Sequence, residues 1–141
     1  MIRYLLVLAT AMLFATPAWA QDAKAPKVVI TMEKGGEIAM ELWPKDAPKH
    51  VENFIALAKK GFYDGQRVHR VEPNFVVQFG DPQSKTLPLD DPRMGTGGPG
   101  YKIKAEFNDR KFERGVLGMA RSQDPDSGGV HFVEHKDEVI F

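Results

Sequence analysis

Val68-His69-Arg70-Val71-Glu72-Pro73-Asn74-Phe75-Val76-Val77-Gln78-Phe79-Gly80-Asp81 is the stretch on which the fold turns. Val68 to Val71 has the β-branched character of a short strand, Pro73-Asn74 breaks it, and Phe75 to Phe79 forms a second strand with little polarity on either face. A strand apolar on both faces is predicted to be buried. Gly80-Asp81-Pro82 then ends it, in a turn whose carboxylate more often caps nearby backbone than serves as a catalytic acid.

The flanking segments repeat this economy of short elements. Upstream, Tyr63-Asp64-Gly65 reads as a turn. Before it, Val51, Phe54, Ile55, Leu57 and Ala58 recur at helical spacing, with Asp46 as the expected N-cap, Pro48 in the first turn and Gly61 at the C-terminal end. Earlier still, Val28-Val29-Ile30-Thr31-Met32, the turn signal Lys34-Gly35-Gly36 and the alternation of Ile38, Met40 and Leu42 predict a hairpin. Downstream, Gly80 to Gly100 is rich in Gly, Pro and Asp and reads as a long ordered loop of the kind that shapes a site. A short strand is expected at Glu106-Phe107 and a clearer one over Gly115 to Ala120. A polar loop over Ser122 to Gly129 follows, and Val130 to Glu134 begins another strand. Many short strands and one early helix predict a mainly-β fold, an antiparallel barrel or sandwich with helix cover.

Residues 1–20 read as a secretory signal peptide: Arg3 supplies the positive start, Leu5 to Ala15 is almost wholly apolar, and Ala18-Trp19-Ala20 offers small residues for cleavage. The apolar run stops at Thr16-Pro17, short of the roughly 20 residues that a bilayer core requires. The mature chain, residues 21–141, is then expected to be periplasmic or secreted and free of the membrane. About 120 residues suit one domain with a single core. There is no cysteine, so neither a disulfide nor a lipid-modified cysteine is available. Lys plus Arg and Asp plus Glu both number 19, a balance that argues against nucleic acid or an anionic membrane as partner.

Several motifs resemble chemistry without supporting it. Gly95-Thr96-Gly97-Gly98-Pro99-Gly100 has the letters of a dinucleotide fingerprint, but it follows no apolar strand, opens no amphipathic helix and holds a proline inside the supposed phosphate turn. Asp124-Pro125-Asp126-Ser127-Gly128 starts like a calcium loop, yet His135 stands where the bidentate glutamate belongs. His131 and His135 could share a helical face as metal ligands, but their neighbours favour a strand, which would separate them, while His50 is expected on the helix surface. No metal and no cofactor is expected. No serine or cysteine nucleophile with a supporting base stands out.

Across Phe62-Tyr63-Asp64-Gly65, Val68-His69-Arg70-Val71, Phe75 to Asp81, Gly97-Gly98-Pro99-Gly100-Tyr101 and Arg114 to Ala120, the chain resembles the cyclophilin family in order and spacing. The likeness covers roughly Lys27 to Gly129, and Met119 to Ser127 is similar to bacterial and organellar members. The resemblance implies an eight-stranded antiparallel barrel capped by two helices, with a proline-binding groove on its outer face, acting as a monomer on proline-containing polypeptides. It implies Arg70 as the catalytic arginine, Phe75 and Met119 as floor and wall of the proline pocket, and Gln78 as the contact to substrate backbone. Val76, Ala120 and Arg121 match groove-lining positions. Each of these residues alone would have an ordinary structural role; their joint spacing carries the assignment.

Those residue types also suit the chemistry. Rotation about an X-Pro bond faces a barrier of about 18–20 kcal/mol, and no covalent bond breaks, so neither nucleophile nor cofactor is needed. A catalyst must grip the proline ring, hold the flanking backbone and favour the twisted amide, whose prolyl nitrogen has become basic. Arginine stays charged at any working pH and can aim a hydrogen bond at that nitrogen.

The pattern departs from the family at Val130-His131-Phe132-Val133, where Ser-Gln-Phe-Phe is expected. His131 thus replaces the substrate-contacting glutamine and Val133 a pocket aromatic, while Phe132 keeps the other aromatic. After Glu134 the likeness ends. Two strands and a closing helix, on the order of 35 residues, would be expected beyond it. The expectation is therefore a domain that is incomplete after about residue 129, with apolar surface around Phe75 to Phe79 left uncovered. Three functional readings follow: an isomerase, a proline-peptide binding module or chaperone with little turnover, and an inactive curtailed product.

Overall fold

The computed structural model describes residues 25–129 and the backbone of 132–135. The expected signal peptide at 1–20, Val130, His131 and residues 136–141 lie outside the described residues. Among the described residues there are six strands and one α-helix: β1 (Lys27–Thr31), β2 (Glu37–Glu41), α1 (Pro48–Lys59), β3 (Arg70–Glu72), β4 (Val76–Phe79), β5 (Leu117–Met119) and β6 (Phe132–His135).

The hairpin β1–β2 pairs antiparallel around the Lys34-Gly35-Gly36 turn, as its alternation predicts. The other four strands form one antiparallel sheet in the order β3-β4-β6-β5. β4 is therefore interior, paired on one side with β3 and on the other with β6, and Val76 and Val77 are buried. The expectation of an uncovered Phe75 to Phe79 is thus corrected. The segment after Gly129 supplies β6, which joins β4 to β5, and only Phe75, outside the strand, is prominently exposed at 52%.

The expected eight-stranded barrel with two helices is also corrected: the described residues form a two-stranded and a four-stranded sheet with one α-helix, and no closed barrel. The segment that would bridge the sheets spends its hydrogen bonds elsewhere. Ile103 makes a single antiparallel bridge to Gly128, and Glu106-Phe107 forms no strand, Glu106 serving α1 instead and Phe107 being 77% exposed. The sheets face each other across a space of about 700 Å³ whose lining includes Ile30, Met40, Leu42, Phe54, Phe79 and Leu117.

Helix α1 places Phe54 and Leu57 inward, and Leu42 and Phe54 form the centre of the core. Its C-terminal end follows the expectation: Gly61 takes φ +67°, its N–H donates to the Ala58 carbonyl and that of Phe62 to Leu57, a Schellman arrangement. Its N-terminal end does not. The N-cap residue is Ala47, with no side-chain cap of its own, and Asp46 instead pairs with Arg110, whose guanidinium lies 3.7 Å over the Trp43 ring.

The cap comes from 57 residues away. Glu106 accepts the N–H groups of Lys49 (3.0 Å) and His50 (2.9 Å), and it meets His50 Nδ1 at 2.7 Å. It thus satisfies two otherwise orphaned donors and places negative charge at the positive end of the helix dipole. His50, expected on the surface, is only 15% exposed in its side chain for the same reason. Burial pushes the Glu106 carboxyl up, but the hydrogen bonds from the His50 ring and the two amides, with attraction to His50, hold it below the ordinary value. A carboxyl lowered on folding stabilises the fold above the ordinary glutamate range, and that contribution is lost as pH falls through the lower folded value. Denaturant titrations between neutral pH and pH 3 should therefore show a shallower acid loss for Glu106→Gln than for the unsubstituted protein. Parallel acid limbs would refute the cap's electrostatic role.

Candidate active site

Arg70 and Gln78 are direct partners in the antiparallel β3–β4 register, which puts their side chains on one face of the sheet. The adjacent His69 N–H donates to the Gln78 carbonyl at 3.1 Å, and Arg70 Nη1 donates to Gln78 Oε1 at 3.4 Å. Arg70 Nη2 lies 3.4 Å from Glu72 Oε1, with both side chains about half exposed, so that ion pair is worth only about 0.2–1 kcal/mol. An arginine has five N–H donors, and these two contacts occupy one on each terminal nitrogen. The result is a pre-oriented, accessible cation beside an amide.

Phe75 stands at the end of the turn joining β3 to β4. Pro73 starts that turn, Asn74 takes φ +59° and the Phe75 N–H donates to the Glu72 carbonyl at 3.1 Å. The break read from Pro73-Asn74 thus leaves an exposed aromatic ring at the turn end of the strand pair.

The remaining expected residues divide. Val76 is 2% exposed, and alternation along β4 places it on the same face as Gln78, two residues on. Met119 packs against the core around Leu42 and Phe54, as does Leu117 two residues before it. Alternation along β5 therefore turns Met119 to the core face, away from the face that carries Arg70 and Gln78, where the half-buried side chain also lines the cavity between the sheets. Ala120 is half-buried just beyond β5, and Arg121 is exposed, donating from Nη1 to the Ser122 carbonyl at 3.0 Å. Phe132 occupies the register position between Phe79 and Met119 on β6. His131 lies outside the described residues. His135 is the last residue of β6, a strand as its neighbours suggest.

One part of the site had no sequence signal beyond loop composition. Arg70, Gln78 and His69 line one wall of a cleft of about 370 Å³, and the loop from Leu89 to Gly95 lines the other. That loop is anchored by Asp81, whose side chain is completely buried. Its Oδ1 accepts the Gln83 N–H at 2.7 Å, and its Oδ2 accepts the N–H groups of Gly95 and, at 3.4 Å, Gly97. The glycine-rich run thus wraps a carboxylate of its own chain. A Cβ on Gly97 would stand 2.2 Å from Asp81 Oδ1, which explains glycine there. Ser84, also fully buried, donates to the Asp81 carbonyl at 2.6 Å and accepts the Arg67 N–H at 2.9 Å, while the Arg67 side chain donates to the Ser84 and Leu87 carbonyls. Asp124 likewise serves its own loop, accepting the Asp126 N–H at 3.0 Å.

Fold and site together define a small mainly-β protein that presents a fixed guanidinium and an amide on an open sheet face. The model of the cyclophilin type peptidyl-prolyl cis-trans isomerase family matches residues 27–138, and the chain belongs to that family. The match runs past Gly129, where the motif likeness fades. A probable peptidyl-prolyl cis-trans isomerase of Brucella suis is 42% identical over 125 residues, covering 86% of this chain and 64% of that one. Peptidyl-prolyl cis-trans isomerase B of Bacillus subtilis is 42% identical, covering 76% and 70%. Among solved structures, a cyclophilin type isomerase of Cryptosporidium parvum, crystallised in the presence of the dipeptide Ala-Pro, is 29% identical with a TM-score of 0.66, covering 78% of this chain and 67% of that one. The chain thus spans just under two thirds of the length of the Brucella relative.

Proposed function

We propose that this protein is a peptidyl-prolyl cis-trans isomerase that accelerates rotation about X-Pro bonds in folding polypeptides. The observation that carries the reading is the pairing of Arg70 and Gln78 on one exposed sheet face. Phe75 offers an apolar ring for the proline. The Gln78 amide holds substrate backbone, and Arg70 donates a hydrogen bond to the prolyl nitrogen as the amide twists. Twisting breaks the conjugation that makes this nitrogen a poor acceptor, so the bond strengthens only toward the transition state, the condition for lowering a barrier. Ala120, Arg121 and His131 are proposed to complete the groove. No cofactor or metal takes part in this chemistry. Family membership and the Ala-Pro dipeptide used with the Cryptosporidium relative support a proline-containing polypeptide as substrate.

The direct test is cis-to-trans exchange of an Ala-Pro peptide, followed by NMR, with catalytic amounts of the full chain. Acceleration over the uncatalysed rate is expected; binding without acceleration would favour a binding module or chaperone.

Export is part of the same proposal: the leader at 1–20 directs a monomer to the periplasm or beyond. Intact-mass measurement on protein from the producing cell should give an N-terminus at Gln21 or within a residue or two of it. A soluble cytoplasmic form that retains Met1 would rule this out.

A further inference from the structure

Arg70 and Gln78 share their cleft with Leu89, Asp90, Asp91, Pro92 and Met94, and the loop that carries these residues is built as a fixed wall. Asp81 anchors it at Gly95 and Arg67 at Leu87. Gln83 Nε2 and Thr96 Oγ1 both donate to the Arg93 carbonyl, at 3.2 and 2.7 Å. Asp91 is consumed within the loop: its carboxylate takes the Arg93 N–H and Nε at 2.9 Å and Nη2 at 2.8 Å. The same bonds from Arg93 hold the Asp91 carboxyl at about 2. Asp90 has no such partner among the described residues, and it is exposed at the cleft with Leu89, itself 48% exposed.

The charges do not cancel. Arg70 is matched by Glu72 and Arg93 by Asp91, which leaves the Asp90 carboxylate in excess. Leu89, Pro92 and Met94 surround it with apolar surface. Such a wall suits a side chain with an aliphatic stem and a cationic head, the stem lying on Leu89 and Met94 and the head meeting Asp90.

We infer that the Leu89–Gly95 loop is a specificity wall that favours lysine or arginine near the isomerised proline. The inference rests on the isomerase reading for its place in catalysis, but its test is a binding ratio that does not require turnover. Ala-Pro hexapeptides with one Lys or one Glu, before or after the Ala-Pro pair, would be titrated by NMR against the full chain and against Asp90→Asn and Asp90→Lys. Exchange rates on an all-alanine Ala-Pro hexapeptide would be measured in parallel. In one of the two positions the Lys peptide should bind about threefold tighter than its Glu counterpart, the range for an exposed charge pair. The preference should shrink with added salt, vanish in Asp90→Asn and invert in Asp90→Lys. No preference in the unsubstituted protein, absence of peptide binding, or a preference that survives both substitutions would overturn the inference. A charge preference that follows Asp90 without any acceleration of exchange would instead sink the isomerase reading and leave the wall standing.

Discussion

Arg70→Ala is expected to lower kcat/KM for an X-Pro peptide by about tenfold to 150-fold, the worth of a charged hydrogen bond of about 1.5–3 kcal/mol made in the transition state. Peptide binding should weaken less, because the ground-state amide nitrogen is a poor acceptor and Phe75 and Gln78 remain. Arg70 sits on a half-exposed strand position, bonded only weakly to Gln78 and Glu72, so its removal should cost little stability. The measurement is therefore a comparison of exchange rate, peptide affinity and thermal midpoint in one variant. Equal losses of rate and affinity would reduce Arg70 to a binding residue, and an unchanged rate would remove it from the chemistry. Arg70→Lys sharpens the comparison, since lysine keeps the charge but lacks the fixed fork that Gln78 and Glu72 orient.

The second large effect is expected at Asp81, in stability rather than in rate. Both oxygens of this fully buried side chain accept backbone N–H groups, Oδ1 from Gln83 and Oδ2 from Gly95 and Gly97. Asp81→Asn preserves the shape, yet in either orientation its NH2 group must face an N–H donor. At least one charged hydrogen bond is lost and one buried donor is left unpaired, a cost of about 2–4 kcal/mol. That is a large share of a typical stability of about 5–15 kcal/mol. The thermal midpoint should fall by roughly 10 °C or more, and amide exchange should quicken first at Gly95 and Gly97, the residues the carboxylate holds. Unchanged melting and protection would show that the loop stands without this anchor. Because the loop is the far wall of the Arg70 cleft, a folded Asp81→Asn protein should also bind peptides less tightly, linking the anchor to the site it shapes.

The sequence by itself determined most of the local elements. Alternation of Ile38, Met40 and Leu42 specified the hairpin, Gly61 the end of α1, and Pro73-Asn74 the break between β3 and β4 that leaves Phe75 exposed. These are local effects, settled by side-chain period and by the few residues that tolerate a positive φ. The spacing of the motifs likewise identified the family without any coordinates, because it preserves the order of strand, turn and loop.

Tertiary structure decided whatever depends on partners distant in sequence. The cap of α1 came from Glu106 because Asp46 was drawn to Arg110 and Trp43, a competition that no window along the chain contains. Met119 packs toward the core because the pairing of β5 with β6 fixes which way its alternating side chains point, and a one-residue change of register would reverse it. Asp81 became a loop anchor through backbone contacts 14 and 16 residues away, and the loop so held carries Asp90 to the cleft. Local chemistry writes the elements, but which face of each is buried, and which charge is left over at the site, is settled only when separate strands and loops compete for the same hydrogen bonds.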